Sequence, residues 1–172
     1  MVRVPQIMVI DPDRESATEL GKLLTTIGLA PAASASYGVE AFTLAHQLHP
    51  DAIIMRIEEP LARPLQTLAR LNDAFPDVPV IVFSSDSNHR LVRQAMMSGA
   101  SDYLQEPFGP DELETSVLRV LERKEREILR RRGELDAPVP HGTIITVFGA
   151  KGGIGKTTIA ANLAVALATE GN

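Results

Sequence analysis

The densest chemistry in the chain is the run Gly149-Ala150-Lys151-Gly152-Gly153-Ile154-Gly155-Lys156-Thr157-Thr158. It follows an apolar stretch, Ile144 to Phe148, that reads as a strand. It opens a stretch, Thr157 to Ala168, that reads as a helix. A strand, a glycine-rich turn and a helix start are the context that a phosphate-binding loop requires. The glycines let backbone N–H groups turn inward around phosphate oxygens, and the helix N-terminus adds a positive dipole end. Lys156 is placed to reach the β- and γ-phosphates of a nucleotide, and the Thr157 hydroxyl to sit on Mg²⁺. The other chemically capable residues are less organised. The four histidines, His46, His49, His89 and His141, show no tight ligand spacing. His46 and His49 lie three apart on a predicted helix, but no third ligand stands near them, so they read as surface residues. Asp73 and Asp77 read as solvated turn residues. The chain has no cysteine, which excludes disulfides, thiolate metal sites and a thiol nucleophile.

These groups must be held by the elements around them. In 172 residues, hydrophobic side chains make up 44% and charged ones 23%, which are ordinary globular values. Short Val- and Ile-rich runs recur at Ile7–Ile10, Ala52–Met55, Val80–Phe83 and Ile144–Phe148, and they read as buried parallel strands. Between them lie helical stripes: Leu20, Leu23, Leu24 and Ile27; Leu65, Leu68, Ala69 and Leu71; Leu91, Val92, Ala95 and Met96; Leu113, Val117, Val120 and Leu121. Asp13 is a candidate N-cap, Gly28 and Gly99 are candidate helix stops, and Pro110 suits a first helical turn. The alternation implies five βα units up to about residue 124 and a doubly wound α/β sheet. Residues 118–132 are dense in charge, with acids interleaved among arginines. Spacings such as Glu122–Arg126 and Glu127–Arg131 read as a solvated helix rather than a nucleic-acid surface. Residues 133–142 read as a linker. The expected organisation is a domain over 1–124, a charged helix end and linker over 125–142, and a βα unit over 143–172. A net charge of −5 excludes attraction to nucleic acid or anionic lipid through global charge. No stretch reaches the roughly 18 apolar residues of a membrane helix, so a soluble cytoplasmic protein is expected.

Residues 1 to about 124 resemble a response-regulator receiver domain, a flavodoxin-like five-stranded parallel sheet. The resemblance rests on Ile7–Asp13, Pro50–Pro60, Val80–Ser85 and Gly99–Phe108. Receivers take phosphate on an aspartate after the third strand. Two acids after the first strand hold Mg²⁺, and a Ser or Thr after the fourth and a Lys before Pro after the fifth complete the site. Carried onto this sequence, the pattern fails at its chemistry. Arg56 stands at the phosphoacceptor position, Pro12 at the second acid with Asp13 one place on, and Glu106 at the lysine. Only Asp11 and Ser84 fit. The resemblance therefore implies a non-phosphorylatable domain without catalytic residues or cofactor. Its degenerate pocket comprises Asp11, Asp13, Arg56, Ser84 and Glu106. An acid and a lysine exchanged for Arg56 and Glu106 point to a charge pair of reversed polarity, with Asp11 as a second acceptor.

The string from Lys151 to Thr158 resembles the deviant Walker A loop of the ParA/MinD family of ATPases. What that implies is ATP binding by Lys151, Gly152, Gly153, Gly155, Lys156, Thr157 and Thr158. Thr157 would serve the metal in a complete ATPase domain, and Lys151 would reach a partner's phosphates across a dimer. No acidic strand, switch loop or adenine pocket follows in this sequence, so hydrolysis is expected only of a longer, slow ATPase containing these residues. A degenerate receiver followed by a deviant Walker A loop resembles the TadZ/CpaE family of Flp (Tad) pilus assembly ATPases. That likeness implies pilus and secretion assembly proteins as partners and a position at a cell pole. The receiver resemblance implies a homodimer through the face of the fourth and fifth helices, for which Leu91, Met96, Met97 and Tyr103 are candidate contact residues.

Overall fold

In a computed structural model of the chain, residues 4–86 and 88–131 are described. The strand expected at 144–148, the loop at 149–158 and the helix after it lie outside the described residues. Within them, strands and helices alternate strictly. They are β1 (Gln6–Ile10), α1 (Arg14–Thr26), β2 (Ala30–Ala35), α2 (Val39–Leu48), β3 (Ala52–Arg56), α3 (Ala62–Ala74), β4 (Val80–Ser84), α4 (His89–Met97), β5 (Asp102–Gln105) and α5 (Pro110–Arg131). The sheet is parallel, with strand order β2-β1-β3-β4-β5. This is the flavodoxin-like doubly wound α/β fold. Its loops after the strand C-termini gather at one edge, where such folds place their sites.

Strand side chains alternate between the two faces, and the core divides accordingly. Ile7, Val9, Ile54, Ile81, Phe83 and Leu104 pack beneath Leu20 and Leu24 of α1 and Leu113, Val117 and Val120 of α5. Met8, Ile10, Ile53, Met55, Val80 and Val82 face Ala41 and Ala45 of α2, Leu68 and Leu71 of α3, and Leu91 and Ala95 of α4. Both faces are covered, which is why β1, β3 and β4 read as continuous apolar runs.

The expected caps are present. The Asp13 carboxylate accepts from the Glu15 and Ser16 backbone N–H groups at the start of α1. Gly28 and Gly99 adopt positive φ after α1 and α4, where a left-handed residue turns the chain out of a helix. Gly99 has a second constraint, because a Cβ there would lie 2.6 Å from the Asn72 side chain. Pro110 begins α5. On α2 the reading shifts by one residue: His46 is in the last turn, but His49 lies just past the helix with φ 47°. β2 carries no Val or Ile; it is an Ala-rich edge strand in which Pro31, lacking an N–H, coincides with a register shift opposite Ile7/Met8. No helix among the described residues is long and apolar enough to cross a membrane.

Candidate functional site

The C-terminal ends of β1, β3 and β5 converge on one guanidinium. Parity along β3 decides where it points. Ile53 and Met55 face α2 and α3, so Ala52, Ile54 and then Arg56 face α1 and α5. The same parity carries Asp11, one residue past Ile10, to that side. Arg56 Nε donates to Asp11 Oδ2 at 2.9 Å. Its Nη1 and Nη2 donate to Glu106 Oε2 and Oε1 at 2.8 and 2.9 Å, a two-pronged contact matched to a planar carboxylate. Nη2 also donates to Ser16 Oγ at 2.6 Å, and that hydroxyl donates in turn to Asp11 Oδ2 at 2.7 Å. The guanidinium carbon lies 4.7 Å from the centre of the Phe83 ring, within cation–π range. Phe83 is set edge-on to Phe108 from the loop after β5. Arg56 and Phe83 are register partners on adjacent strands, which brings the cation over the ring.

The network is largely dry. The Asp11 side chain is 0% exposed, that of Arg56 15% and that of Glu106 26%. Burial drives the Arg56 pKa down, but the hydrogen bonds and charges of Asp11 and Glu106 outweigh it and the net shift is upward. Asp11 also accepts from the Asp13 backbone N–H at 2.9 Å, so its two oxygens serve three donors. On the other side of β3 the Tyr37 hydroxyl donates to the Arg56 carbonyl at 3.0 Å. Burial, then the charges of Glu58 and Asp11, push that phenol well above its ordinary range.

Three of the five expected pocket residues, Asp11, Arg56 and Glu106, therefore meet. Two do not join them. Asp13 spends its carboxylate on the α1 N-cap, so it is not a member of the charged pocket. Ser84 follows Phe83 and so faces the α4 side. Its Oγ accepts from the Asp86 backbone N–H at 3.2 Å, near the Tyr103 phenol, whose pKa burial raises. Tyr103 donates to the Asp86 carbonyl, which ties β5 to the loop after β4. Ser16 was not expected. It lies in the first turn of α1, three residues after the Asp13 cap, and that turn aims it back at Asp11. Of the residues expected to form a contact face, Leu91 is 3% exposed and belongs to the core. Met96 and Met97 are 45% and 77% exposed at the end of α4.

The donor set does not suit a divalent cation. The buried carboxylate is already satisfied by Asp13 N–H, Ser16 and Arg56, Asp13 is turned away, and a guanidinium occupies the centre. No group of three or more His, Asp or Glu that could hold a metal occurs among the described residues. The arrangement contains no free nucleophile and no unpaired base; it is a closed clamp. Alongside it runs a groove of about 330 Å³ lined by Ser16, Glu19, Leu20, Leu23, Phe83, Glu106, Pro107 and Phe108.

Comparison with known proteins places this fold in context. The family model described as "Response regulator receiver domain" matches residues 7–118. The transcriptional regulatory protein PrrA of Mycobacterium tuberculosis is 33% identical over 132 residues, which cover 77% of this chain and 53% of that protein. A protein-glutamate methylesterase/protein-glutamine glutaminase of Treponema pallidum is 31% identical over 121 residues, covering 69% of this chain and 29% of its own. The chain thus spans about half, or less, of the length of these relatives. Among solved structures, the signal receiver domain of a modulated diguanylate cyclase from Desulfovibrio desulfuricans G20 superposes with a TM-score of 0.65. It is 24% identical and covers 73% of this chain and 99% of its own, a likeness of fold.

Proposed function

The chain belongs to the response regulator receiver domain family, and we propose that it is a member that has lost phosphotransfer and serves as a fixed interaction and localisation module. The observation that carries this reading is Arg56 held by Asp11, Glu106 and Ser16 at the end of β3. A receiver of the usual pattern needs a carboxylate there to attack phosphorus, a metal to neutralise the phosphoryl oxygens and a lysine to hold them. A guanidinium is no nucleophile and repels Mg²⁺, and Glu106 would repel the phosphoryl group that a lysine attracts. The ionic clamp substitutes for the phosphorylated and unphosphorylated alternatives with one arrangement.

The sequence from Lys151 to Thr158 supports a second part of the proposal. The chain carries the phosphate loop of a ParA/MinD-like ATPase, in the order of parts found in TadZ/CpaE-type pilus assembly proteins. The receiver-like domain then brings such an ATPase to its pilus or secretion partners, at a cell pole in that family, and pairs copies of it. ATP and Mg²⁺ are its cofactors, through Lys156 and Thr157. The alternatives are another ParA/MinD-like partitioning or positioning ATPase, or an atypical response regulator with a transcriptional output, the latter favoured by the 33% identity to the transcriptional regulatory protein PrrA.

Incubation with a small-molecule phosphoryl donor and Mg²⁺, followed by intact-mass measurement, tests the first part. No added phosphoryl group is expected, and a stable adduct on Asp11 or Asp13 overturns it. ATP-dependent binding that is lost in Lys156→Ala separates the ATPase reading from the transcriptional one, for which the same variant is silent.

A further inference from the structure

α5 outlasts the sheet it covers. Its 22 residues rise about 33 Å at roughly 1.5 Å per residue, whereas the strands are four to six residues long. The fully buried positions, Leu113, Ser116, Val117 and Val120, all lie in its first half. Residues 121–131 continue along the opposite edge of the sheet from the clamp, beside the turns that enter β3 and β4. Those two turns present acids to the helix. Asp51 precedes β3, where its Oδ2 accepts from the Gln6 backbone N–H at 2.8 Å. Asp77 lies in the Pro76–Pro79 turn before β4.

Asp77 is paired with a cation of α5, and Lys124 lines the clefts beside both acids. Arg131 Nη1 donates to Asp77 Oδ1 at 3.2 Å, while Nη2 holds Glu127 Oε1 at 2.9 Å. Lys124 is half-buried between two clefts. One, of about 260 Å³, is lined by Asp77, Val78, Ser101 and Val120; the other, of about 280 Å³, by Asp51, Leu121, Ile128 and Leu129. Burial lowers the Lys124 pKa, and Asp77 and Asp51 oppose that shift. The apolar residues of this half, Leu121, Ile128 and Leu129, are only partly covered. Packing in the first half is thus apolar and deep. In the second half it is an exposed ion pair, with Lys124 lining two shallow clefts.

We infer that residues 121–131 of α5 form a releasable clasp, fastened to the turn before β4 by the Arg131–Asp77 ion pair and able to open without unfolding the domain. Fastened, the clasp makes the long helix a rigid extension of the sheet. Released, it exposes Leu121, Ile128 and Leu129 to solvent. Regions held by few buried apolar contacts and exposed polar ones open at lower free energy than the core. Both partners of the Arg131–Asp77 pair are more than half exposed, so screening weakens it.

Amide hydrogen exchange on the full 172-residue chain tests this. At low salt, residues 121–131 should be protected, but less than residues 113–120. Asp77→Asn should speed exchange in 121–131 by about twofold to fivefold, the range expected from losing an exposed ion pair, and leave 113–120 unchanged. Raising NaCl to about 0.5 M should move the wild type toward the variant, and Arg93→Ala on exposed α4 should do neither. The clasp is refuted if Asp77→Asn leaves 121–131 unaltered. It is equally refuted if the two halves of α5 speed up together, because the helix then opens only with the whole domain.

Discussion

Replacing Arg56 by Ala is the most direct perturbation of the clamp. The substitution leaves the Asp11 carboxylate, 0% exposed, without its only cationic partner among the described residues. Breaking a deeply buried ion pair from one side costs about 3–5 kcal/mol. Two features lower that figure here. Arg56 is 15% exposed, and Asp11 keeps two of its three donors, the Asp13 N–H and the Ser16 hydroxyl. Against this, the contact with the Phe83 ring is lost, worth about 0.5–1 kcal/mol where partly exposed. The net expectation is a loss of about 2–3 kcal/mol. At about 4 °C per kcal/mol for a domain of this size, that is a fall in Tm of roughly 10 °C. Arg93→Ala, at an exposed position of α4, should stay within about 0.5 kcal/mol. Calorimetry or denaturant titration measures both. The double variant Asp11→Asn with Arg56→Ala removes the fully buried carboxylate together with its cation, leaving only the partly exposed Glu106 unpaired, and should recover much of the loss. Equal shifts for Arg56→Ala and Arg93→Ala would refute the reasoning, as would a double variant whose loss is the plain sum of the two singles.

Asp13→Ala should cost about 1 kcal/mol through loss of the α1 cap, read by urea unfolding, without disturbing the charged network. Tyr37→Phe removes the buried hydrogen bond to the Arg56 carbonyl and should cost about 1 kcal/mol near neutral pH. The Tyr37 phenol is raised in the fold, so its contribution is full below the ordinary tyrosine pKa of about 10 and falls as pH rises beyond it. Tyr37→Phe should accordingly flatten the alkaline loss of stability. Gly99→Ala should destabilise by more than 1 kcal/mol, in order of magnitude, because φ is 101° and the new Cβ meets Asn72 at 2.6 Å; a neutral thermal melt would contradict that.

How far the site could be read from sequence follows from what each residue depends on. The buried strands expected at Ile7–Ile10, Ala52–Met55 and Val80–Phe83, the caps at Asp13, Gly28, Gly99 and Pro110, and the helix pairs Glu122–Arg126 and Glu127–Arg131 depend on local pattern, and they are present. β2 was implied by the count of units but not marked by any run. Ala and Ser carry no β signal, and an edge strand with a proline needs none, since β1 alone holds it. The Arg56–Glu106 pair was legible because two exchanges of charge occurred at two positions that one fold brings together. Ser16 and Phe83 were not, because their roles arise from tertiary register. Ser16 reaches the site only through the pitch of α1, and Phe83 only because β3 and β4 pair Arg56 with it.

That dependence on register separates two residues that sequence alone groups together. Ser84 and Asp11 both fit the receiver pattern, yet only Asp11 touches the cation. Strand parity gives the reason. Phe83 faces α1 and α5 with Arg56, so Ser84 must face α4, where it accepts from the Asp86 amide. The clamp and the Ser84–Asp86 contact therefore lie on opposite faces of β4, joined through the Phe83–Ser84 backbone and the Glu106 N–H that donates to the Ser84 carbonyl at 2.9 Å. A pocket that changes state must pass movement across that strand. Here Arg56 is tied on one face by two carboxylates, a hydroxyl and an aromatic ring, and its own carbonyl is tied on the other by Tyr37. Fixing both the side chain and the backbone of one residue leaves the end of β3 little room for a second arrangement. In the reading proposed here, one exchange of charge accounts both for the absent acceptor carboxylate and for a strand end tied on both faces.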